Sequence, residues 1–109
     1  MRIWDISVEQ LCNNHLLGEH RELHAIWSIL INDKKGYSKH PETLRWQGKL
    51  KALYLRHEHQ VKEMGKRGFN HYSHLDENLA TGKNKQDVLI DTIDAQIELL
   101  RNKECKCRI

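Results

Sequence analysis

The sequence is poor in the residues that interrupt helices. Proline occurs once and glycine six times in 109 residues, and no segment alternates apolar and polar residues for long enough to predict a strand. No run approaches the roughly 18 consecutive apolar residues that a membrane span needs, and the first residues do not have the pattern of a signal peptide. We therefore expect one all-α domain spanning residues 1–109, without a membrane segment.

Cysteine is also scarce, and its spacing predicts no metal centre. The three cysteines are Cys12, Cys105 and Cys107. The last two lie too close together for a structural disulfide, and no second pair completes a zinc site. Among the eight histidines, His20 and His24 fall on the outer arc of their predicted helix, and no His-Glu-x-x-His pattern is present. We expect free thiols in a frayed C-terminal tail, a cytoplasmic location, and no metal or other cofactor.

Positive charge is concentrated in the middle of the chain. Residues 34–70 carry ten Lys/Arg and three acids, although the net charge of the whole chain is only +3. This excess predicts an anionic partner, and nucleic acid before membrane because no apolar helix face is left over for lipid. Four of these cations form a row over roughly 33 Å of one predicted helix: Arg45, Lys49, Arg56 and Arg67. The row is equally typical of a solvated helix face and of a track for DNA phosphates.

Hydrophobic periodicity predicts three helices. The first begins at Ser7 and ends near Asp33. The second runs from Pro41, a favoured first helical residue, to Gly68, a favoured C-cap, with His57 on its apolar seam as a core histidine. Residues 69–84 are expected to form a loop. The third helix spans about 85–103. Its inward face is apolar and consists of Leu89, Ile93, Ile97 and Leu100. Its outward face is an acidic stripe that repels phosphate and consists of Asp87, Asp91, Asp94 and Glu98.

Ionisable side chains interrupt the apolar arc of the first predicted helix. A rotation of 100° per residue puts His15, Glu19 and Glu22 inside this arc, and Arg21 outside it. Burying an unpaired carboxylate costs several kcal/mol. Two interpretations follow. One is a structural network in which Glu19 or Glu22 pairs with a cation from another helix; the other is a carboxylate with a tuned pKa beside a nucleophile.

Two segments resemble the phage-type pyrimidine-dimer DNA glycosylases, also called endonuclease V of that type. Residues 15–23 (His-Leu-Leu-Gly-Glu-His-Arg-Glu-Leu) resemble the motif of their first helix, with Arg2 and Ile3 at the matching distance. Residues 66–70 (Lys-Arg-Gly-Phe-Asn) resemble the end of their second long helix. The resemblance covers about residues 1–75. It implies a compact three-helix domain whose N-terminal segment is threaded to the active site, and base excision coupled to strand cleavage.

The resemblance also implies the site residues. The nucleophile is the N-terminal α-amine, which falls on Met1, and Glu22 matches the essential carboxylate. Arg2 and Arg21 match arginines that contact DNA, and His15 matches a further position at the site. An α-amine has a pKa of about 7.7–8.0, against about 10.4 for lysine, so a useful fraction is neutral at pH 7. Because Arg2 is bulky, we expect the initiator Met1 to be retained.

Two functional hypotheses remain open at this point. The first is a monomeric DNA repair glycosylase with abasic-site lyase activity, acting on double-stranded DNA that contains a damaged base or an abasic site. The second is a non-catalytic helical protein that binds nucleic acid with the same fold. Salt-dependent DNA binding is expected under both hypotheses, so only a catalytic intermediate distinguishes them.

Overall fold

The computed structural model describes residues 2–70 and 73–109, and within them it contains four α-helices and no strand. The helices are α1 (Asn13–Asn32), α2 (Pro41–Arg45), α3 (Leu50–Lys66) and α4 (Ile93–Arg101), and short 3₁₀ helices span Val8–Gln10 and Glu77–Leu79. The all-α class predicted from the sequence is confirmed. None of the helices in the described part of the chain combines the length and the apolar character that crossing a bilayer demands.

The first predicted helix begins six residues too early. Ser7 precedes only the 3₁₀ turn, and the backbone is extended at Leu11 (ψ 137°) and Cys12 (ψ 168°) before α1 starts at Asn13. This break lets the N-terminal segment run across the domain instead of extending α1. The predicted end of the helix is confirmed, because Asp33 closes α1 in the left-handed conformation with φ 50°.

The second predicted helix is two helices. Pro41 is the first residue of α2 as expected, but the chain turns at Gly48, which has φ +72°. The turn is fixed by a segment that returns from far along the sequence. Lys51 and Ala52 donate their N–H groups to the carbonyls of Thr81 and Lys83, at 2.8 Å and 3.0 Å. These bonds satisfy N–H groups in the first turn of α3 that have no partner within the helix.

The third predicted helix is much shorter than expected. Thr92 caps α4 by accepting a hydrogen bond from the Ala95 N–H at 3.1 Å. Leu100 is fully buried, but Leu89 precedes the helix and is exposed, as is Ile93. Two members of the predicted acidic stripe also lie before α4 and form ion pairs, Asp87 with Lys49 and Asp91 with Arg2. Only Asp94 and Glu98 remain as exposed acids on the helix.

The core has two parts, and the N-terminal segment enters both. Ile3 packs with the first cluster, which includes Leu23 and Trp27 of α1 and Leu53 of α3. The second cluster contains Trp4, Ile6, Val8, Leu11, Leu16, Met64 and Leu100. The C-terminal tail is docked against this second cluster through Cys107 and Ile109, so the expectation of a frayed tail is wrong.

We expect Gly82→Ala to destabilise the fold. Gly82 has φ +84°, and an added Cβ would lie 2.1 Å from the Gly48 carbonyl oxygen, so both the conformation and the close approach require glycine. We expect a loss of about 1–3 kcal/mol from the free energy of unfolding, measured by urea denaturation. In Gly65→Ala, the matched control within α3, an added Cβ meets nothing within 4 Å, and we expect unchanged or slightly higher stability. Equal effects of the two substitutions would contradict this account.

Candidate active site

The N-terminal segment is held through its backbone by three polar side chains. The Ile3 N–H donates to Glu42 Oε1 at 3.2 Å, and the Trp4 N–H donates to Glu19 Oε1 at 2.7 Å. The Asp5 N–H donates to the side-chain oxygen of Gln96 at 2.8 Å. Ile3 and Trp4 are buried. The segment is therefore fixed residue by residue between α1, α2 and α4.

Glu42 is buried at 2% exposure and is neutralised by Arg45 on the next turn. The Arg45 guanidinium lies 2.7 Å from Glu42 and 3.0 Å from Asp5, and it also donates to the Ile3 carbonyl at 2.9 Å. Burial disfavours its charge, but the hydrogen bonds to Glu42 and Asp5 raise the pKa of Arg45 above its usual value. The guanidinium thus stays charged inside the domain, and it binds the N-terminal segment at the Ile3 carbonyl and at the Asp5 side chain.

Glu19 is the second buried carboxylate, also at 2% exposure. Arg56 of α3 binds it with two parallel hydrogen bonds, both at 2.9 Å, and the Gln60 side-chain amide donates to the same carboxylate. With the bond from the Trp4 N–H, each oxygen of this carboxylate accepts two hydrogen bonds. The structural interpretation of the ionisable residues on α1 therefore holds for Glu19, which pairs with a cation from another helix.

Glu22 has a different environment. Its side chain is half-buried and lines a cleft of about 580 Å³ between α1 and the loop before α2. Tyr37 stands in this loop with 71% of its surface exposed and a positive φ of 57°, a strained conformation for a residue with a side chain. The other lining residues include Lys34, His40, Ala25 and Ser28. Sequence reasoning identified Glu22 but missed Lys34, Tyr37 and His40.

Met1, the predicted nucleophile, lies outside the described residues. Two residues of extended chain span at most about 7 Å, which bounds the distance from the Met1 nitrogen to the Ile3 nitrogen. The Ile3 nitrogen is bound to Glu42, and the Glu42 N–H in turn donates to His40 Nδ1 at 3.1 Å. His40 also lines the cleft of Glu22. The anchored segment and the cleft are thus connected through Glu42 and His40.

The remaining residues predicted for the pocket are spread out. Arg2 is half-buried, pairs with Asp91 at 2.9 Å and lies over the Trp4 ring at 4.9 Å, and Arg21 is exposed on α1. His15 is two turns of α1 away from Glu22, about 10.5 Å along the axis. Its Nδ1 lies 3.2 Å from the sulfur atoms of both Cys12 and Cys107. His15 therefore belongs to a second cluster, in which burial raises the pKa of the Cys107 thiol to about 12.

The four cations predicted to form a row on one helix, as a solvated face or a phosphate track, do not form that row. Arg45 and Lys49 are buried at 6% and 7% exposure, and the Gly48 turn separates Arg45 from Lys49 and α3. Arg56 is bound to Glu19, and Arg67 pairs with Glu63 at 2.9 Å. All four carry acidic partners, three of them from outside their own helix. The predicted helical row therefore did not indicate that these cations are free to bind phosphate.

Three histidines form a network beside Glu19. His24 Nε2 lies 3.2 Å from the Nε2 atoms of both His20 and His57. His20 Nδ1 is 2.8 Å from the Gln60 side-chain oxygen, and His57 Nδ1 is 3.0 Å from Glu58. His20 is buried, so its predicted place on an outer arc is wrong, whereas His57 is the core histidine that the seam predicts.

Two groups of side chains are close enough to hold a metal ion in the part of the chain that the structure describes. One is the network of His20, His24 and His57; the other is Cys12, His15, Cys105 and Cys107. Neither group contains Glu22, so the chemistry available in its cleft is that of a carboxylate, an aromatic ring and nearby cations.

Most of the chain matches a known protein family. A family model described as pyrimidine dimer DNA glycosylase matches residues 1–77. No curated protein and no solved structure matches the chain significantly. The matched region contains the N-terminal segment, α1, α2, α3 and the cleft of Glu22, and it ends before α4.

We expect Arg56→Met to destabilise the protein strongly. The substitution keeps the volume of the side chain but leaves the Glu19 carboxylate buried without its cation, which costs about 3–5 kcal/mol. Urea denaturation measures the loss. Lys62→Met on the exposed side of α3 is the matched control, with an expected change within about 0.5 kcal/mol. A change in Arg56→Met as small as that in Lys62→Met would show that Glu19 does not need this partner.

We expect the protein to lose stability as the pH falls below about 6.5. Burial lowers the pKa of His20 from 6.5, its proximity to His57 acts in the same direction, and the bond to Gln60 opposes them. Because the folded pKa lies below the unfolded one, the unfolded chain binds more protons on acidification. Stability is thus complete above the unfolded pKa and declines below it. Urea midpoints at pH 7.5 and 5.5 measure this, and His20→Gln should decline less steeply than the exposed control His59→Gln. Identical slopes in the two variants would exclude His20 as the cause.

Proposed function

Because the chain belongs to the pyrimidine dimer DNA glycosylase family, we propose that it excises a damaged base from DNA and then cleaves the strand at the abasic site. The nucleophile is the α-amine of Met1, and Glu22 is the acid–base group. Membership of the family makes DNA the substrate and a DNA glycosylase the class of enzyme. The lyase step and its residues are the part that the experiment below tests.

The anchoring of the N-terminal segment is the observation that carries this proposal. A terminal amine attached to a flexible tail would be a poor nucleophile, because it would have to be positioned anew for each reaction. Here the N–H groups of Ile3 and Trp4 are bound by buried carboxylates. Ile3, two residues after the proposed nucleophile, is therefore held at one position in the domain, which supports a role for the terminal amine.

The glycosylase step begins with the neutral form of this amine. Its lone pair attacks C1′ of the deoxyribose, the bond from C1′ to the base breaks, and the base leaves with the bonding electrons and takes up a proton. Loss of the amine proton and opening of the sugar ring then give an imine between Met1 and C1′, as a lysine would form. A low pKa for an α-amine supplies the neutral form at physiological pH.

The lyase step uses the imine as an electron sink. The imine acidifies the C2′ proton, a base removes that proton, and the electrons expel the 3′ phosphate by β-elimination. Water then hydrolyses the imine and releases the α-amine. Glu22 is suited to carry these protons and to stabilise the cationic sugar, since it lines an open cleft and, among the described residues, has no ion pair like that of Glu19 with Arg56.

Binding of the damaged strand is assigned to the rim of the same cleft. Arg21 and the loop residues Lys34, Lys35 and Lys39 are exposed cations that can hold phosphates. The exposed Tyr37 ring offers a flat surface for an extruded base, since bases stack readily on aromatic side chains. Arg2 would exchange Asp91, its present partner, for a phosphate.

Four cations that the sequence assigned to DNA binding have internal partners here. Arg45, Lys49, Arg56 and Arg67 can reach phosphates only by giving up those partners, so we place the first contacts at the rim of the cleft. The monomeric state and the cytoplasmic location remain predictions.

We expect borohydride to trap the wild-type protein on DNA that contains an abasic site, because reduction converts the imine into a stable amine bond. A covalent complex on a denaturing gel and its intact mass are the measurements. Glu22→Gln should reduce trapping and strand cleavage by at least about 100-fold, within the usual contribution of a general acid–base group. Glu77→Gln, an exposed acid outside the cleft, is the matched control and should behave as wild type.

The identity of the nucleophile is tested by a removable N-terminal fusion. The fusion blocks the Met1 amine and should abolish trapping, and cleavage of the fusion immediately before Met1 should restore it. Intact mass confirms that Met1 is the first residue of the released protein and carries no formyl group. Trapping that persists with the blocked amine would assign the imine to a lysine. Binding of DNA without any trapping by the released protein would favour the non-catalytic alternative.

A further inference from the structure

The start of α1 and the C-terminal tail bring together four side chains that are typical ligands of soft metal ions. Cys12 is the N-cap of α1 and His15 lies in its first turn, and Cys105 and Cys107 lie in the tail after α4. One potential ligand atom of each side chain lies within 4.8 Å of the other three. The cluster lies at the start of α1, two helical turns before Glu22. The proposed reaction does not use it.

The spacing of these atoms fits a tetrahedral ion. With zinc–sulfur bonds of about 2.3 Å and zinc–nitrogen bonds of about 2.0–2.1 Å, neighbouring ligand atoms of a tetrahedral site lie about 3.5–3.8 Å apart. His15 Nδ1 lies 3.2 Å from each of the Cys12 and Cys107 sulfur atoms. We propose that Cys12, His15, Cys105 and Cys107 bind one Zn²⁺ ion in a closed structural site.

The local structure around Cys12 favours a bound thiolate. Cysteine is an unusual N-cap, and the Cys12 side chain makes no capping hydrogen bond to α1; its sulfur faces the cluster instead. The positive end of the helix dipole stabilises a thiolate at this position. The Cys12 N–H donates to the Cys107 sulfur at 3.1 Å, the kind of outer hydrogen bond that orients and stabilises a metal-bound thiolate.

The tail is positioned by contacts that do not involve the four ligands. The Arg108 N–H donates to the Gln10 carbonyl at 2.7 Å, and the Gln10 side chain donates back to the Arg108 carbonyl at 3.1 Å. Ile109 packs against the second core cluster. The backbone on both sides of the site is therefore already in place for an ion.

Four protein ligands leave no open position for water or substrate, so the expected role of the ion is structural. Each cysteine binds as a thiolate, and uptake of Zn²⁺ therefore releases the protons of the three thiols. Because the unfolded chain has no preformed site, binding stabilises the folded state. The ion would fasten the last residues of the chain to the beginning of α1.

The test is the metal content of the full-length chain. After purification from zinc-supplemented medium, we expect one zinc ion per chain by atomic emission and native mass spectrometry. After removal by a chelator, one Co²⁺ should bind with the strong visible absorption of a tetrahedral thiolate site, and Tm should rise on reloading with Zn²⁺. Cys107→Ser should weaken Zn²⁺ binding by at least about 100-fold, since the loss of an outer-shell partner alone costs 10–100-fold.

The other group of possible ligands provides the matched control. His24→Asn disrupts the His20, His24 and His57 network. This variant should keep one zinc ion per chain, and its Co²⁺ form should keep the visible absorption spectrum of the wild type. Zinc lost from His24→Asn but retained by Cys107→Ser would overturn the proposal. Two results on the wild-type chain would also overturn the proposal. The first is a failure to bind Zn²⁺ although all three thiols are reduced and react with a thiol reagent. The second is the finding that two of the cysteines form a disulfide in the purified protein. The wild-type measurement decides the question even if a variant fails to fold.

Discussion

Two carboxylates buried under the N-terminal segment determine the rest of the site. Glu42 and Glu19 accept the N–H groups of consecutive residues, Ile3 and Trp4, and each carboxylate is neutralised by an arginine. A carboxylate in this position without its arginine would be a buried, unpaired charge. Without the carboxylates, the N–H groups of the segment would be buried without partners. The acids and the arginines therefore form one unit, and it keeps the beginning of the chain inside the domain.

The same unit explains why two acids on one helix face differ in their surroundings. Glu19 and Glu22 are three residues apart and share a side of α1. Glu19 accepts hydrogen bonds from Arg56, Gln60 and a backbone N–H, so protein donors enclose its carboxylate. Glu22 faces the cleft. Proton transfer requires access to the reacting group. Glu19 therefore stabilises the fold, whereas Glu22 can be reached by a substrate in the cleft.

Sequence reasoning succeeded where the signal was local and failed where it depended on distant segments. Periodicity predicted the all-α class, the end of α1 and the position of Pro41, and rotation along α1 revealed its ionisable residues. It missed the turn at Gly48, which is completed by hydrogen bonds from residues 81–83. It could not separate Glu19 from Glu22, because the partners of Glu19 lie 37 and 41 residues away. The Cys-x-x-His of α1 and the Cys-x-Cys of the tail are each incomplete alone, and only the fold brings them together.

Trp4 connects the N-terminal segment with the cluster of Cys12, His15, Cys105 and Cys107. Its N–H is bound by Glu19, its ring lies beneath the Arg2 guanidinium at 4.9 Å, and the same ring meets His15 edge-on. A displacement of the C-terminal tail that moves His15 would therefore also shift Trp4, whose ring contacts Arg2. Close packing transmits such shifts, since a well-packed interior has little space to absorb them. The tail lies beyond the part of the chain that matches the family, and yet it supports the segment on which the proposed nucleophile depends.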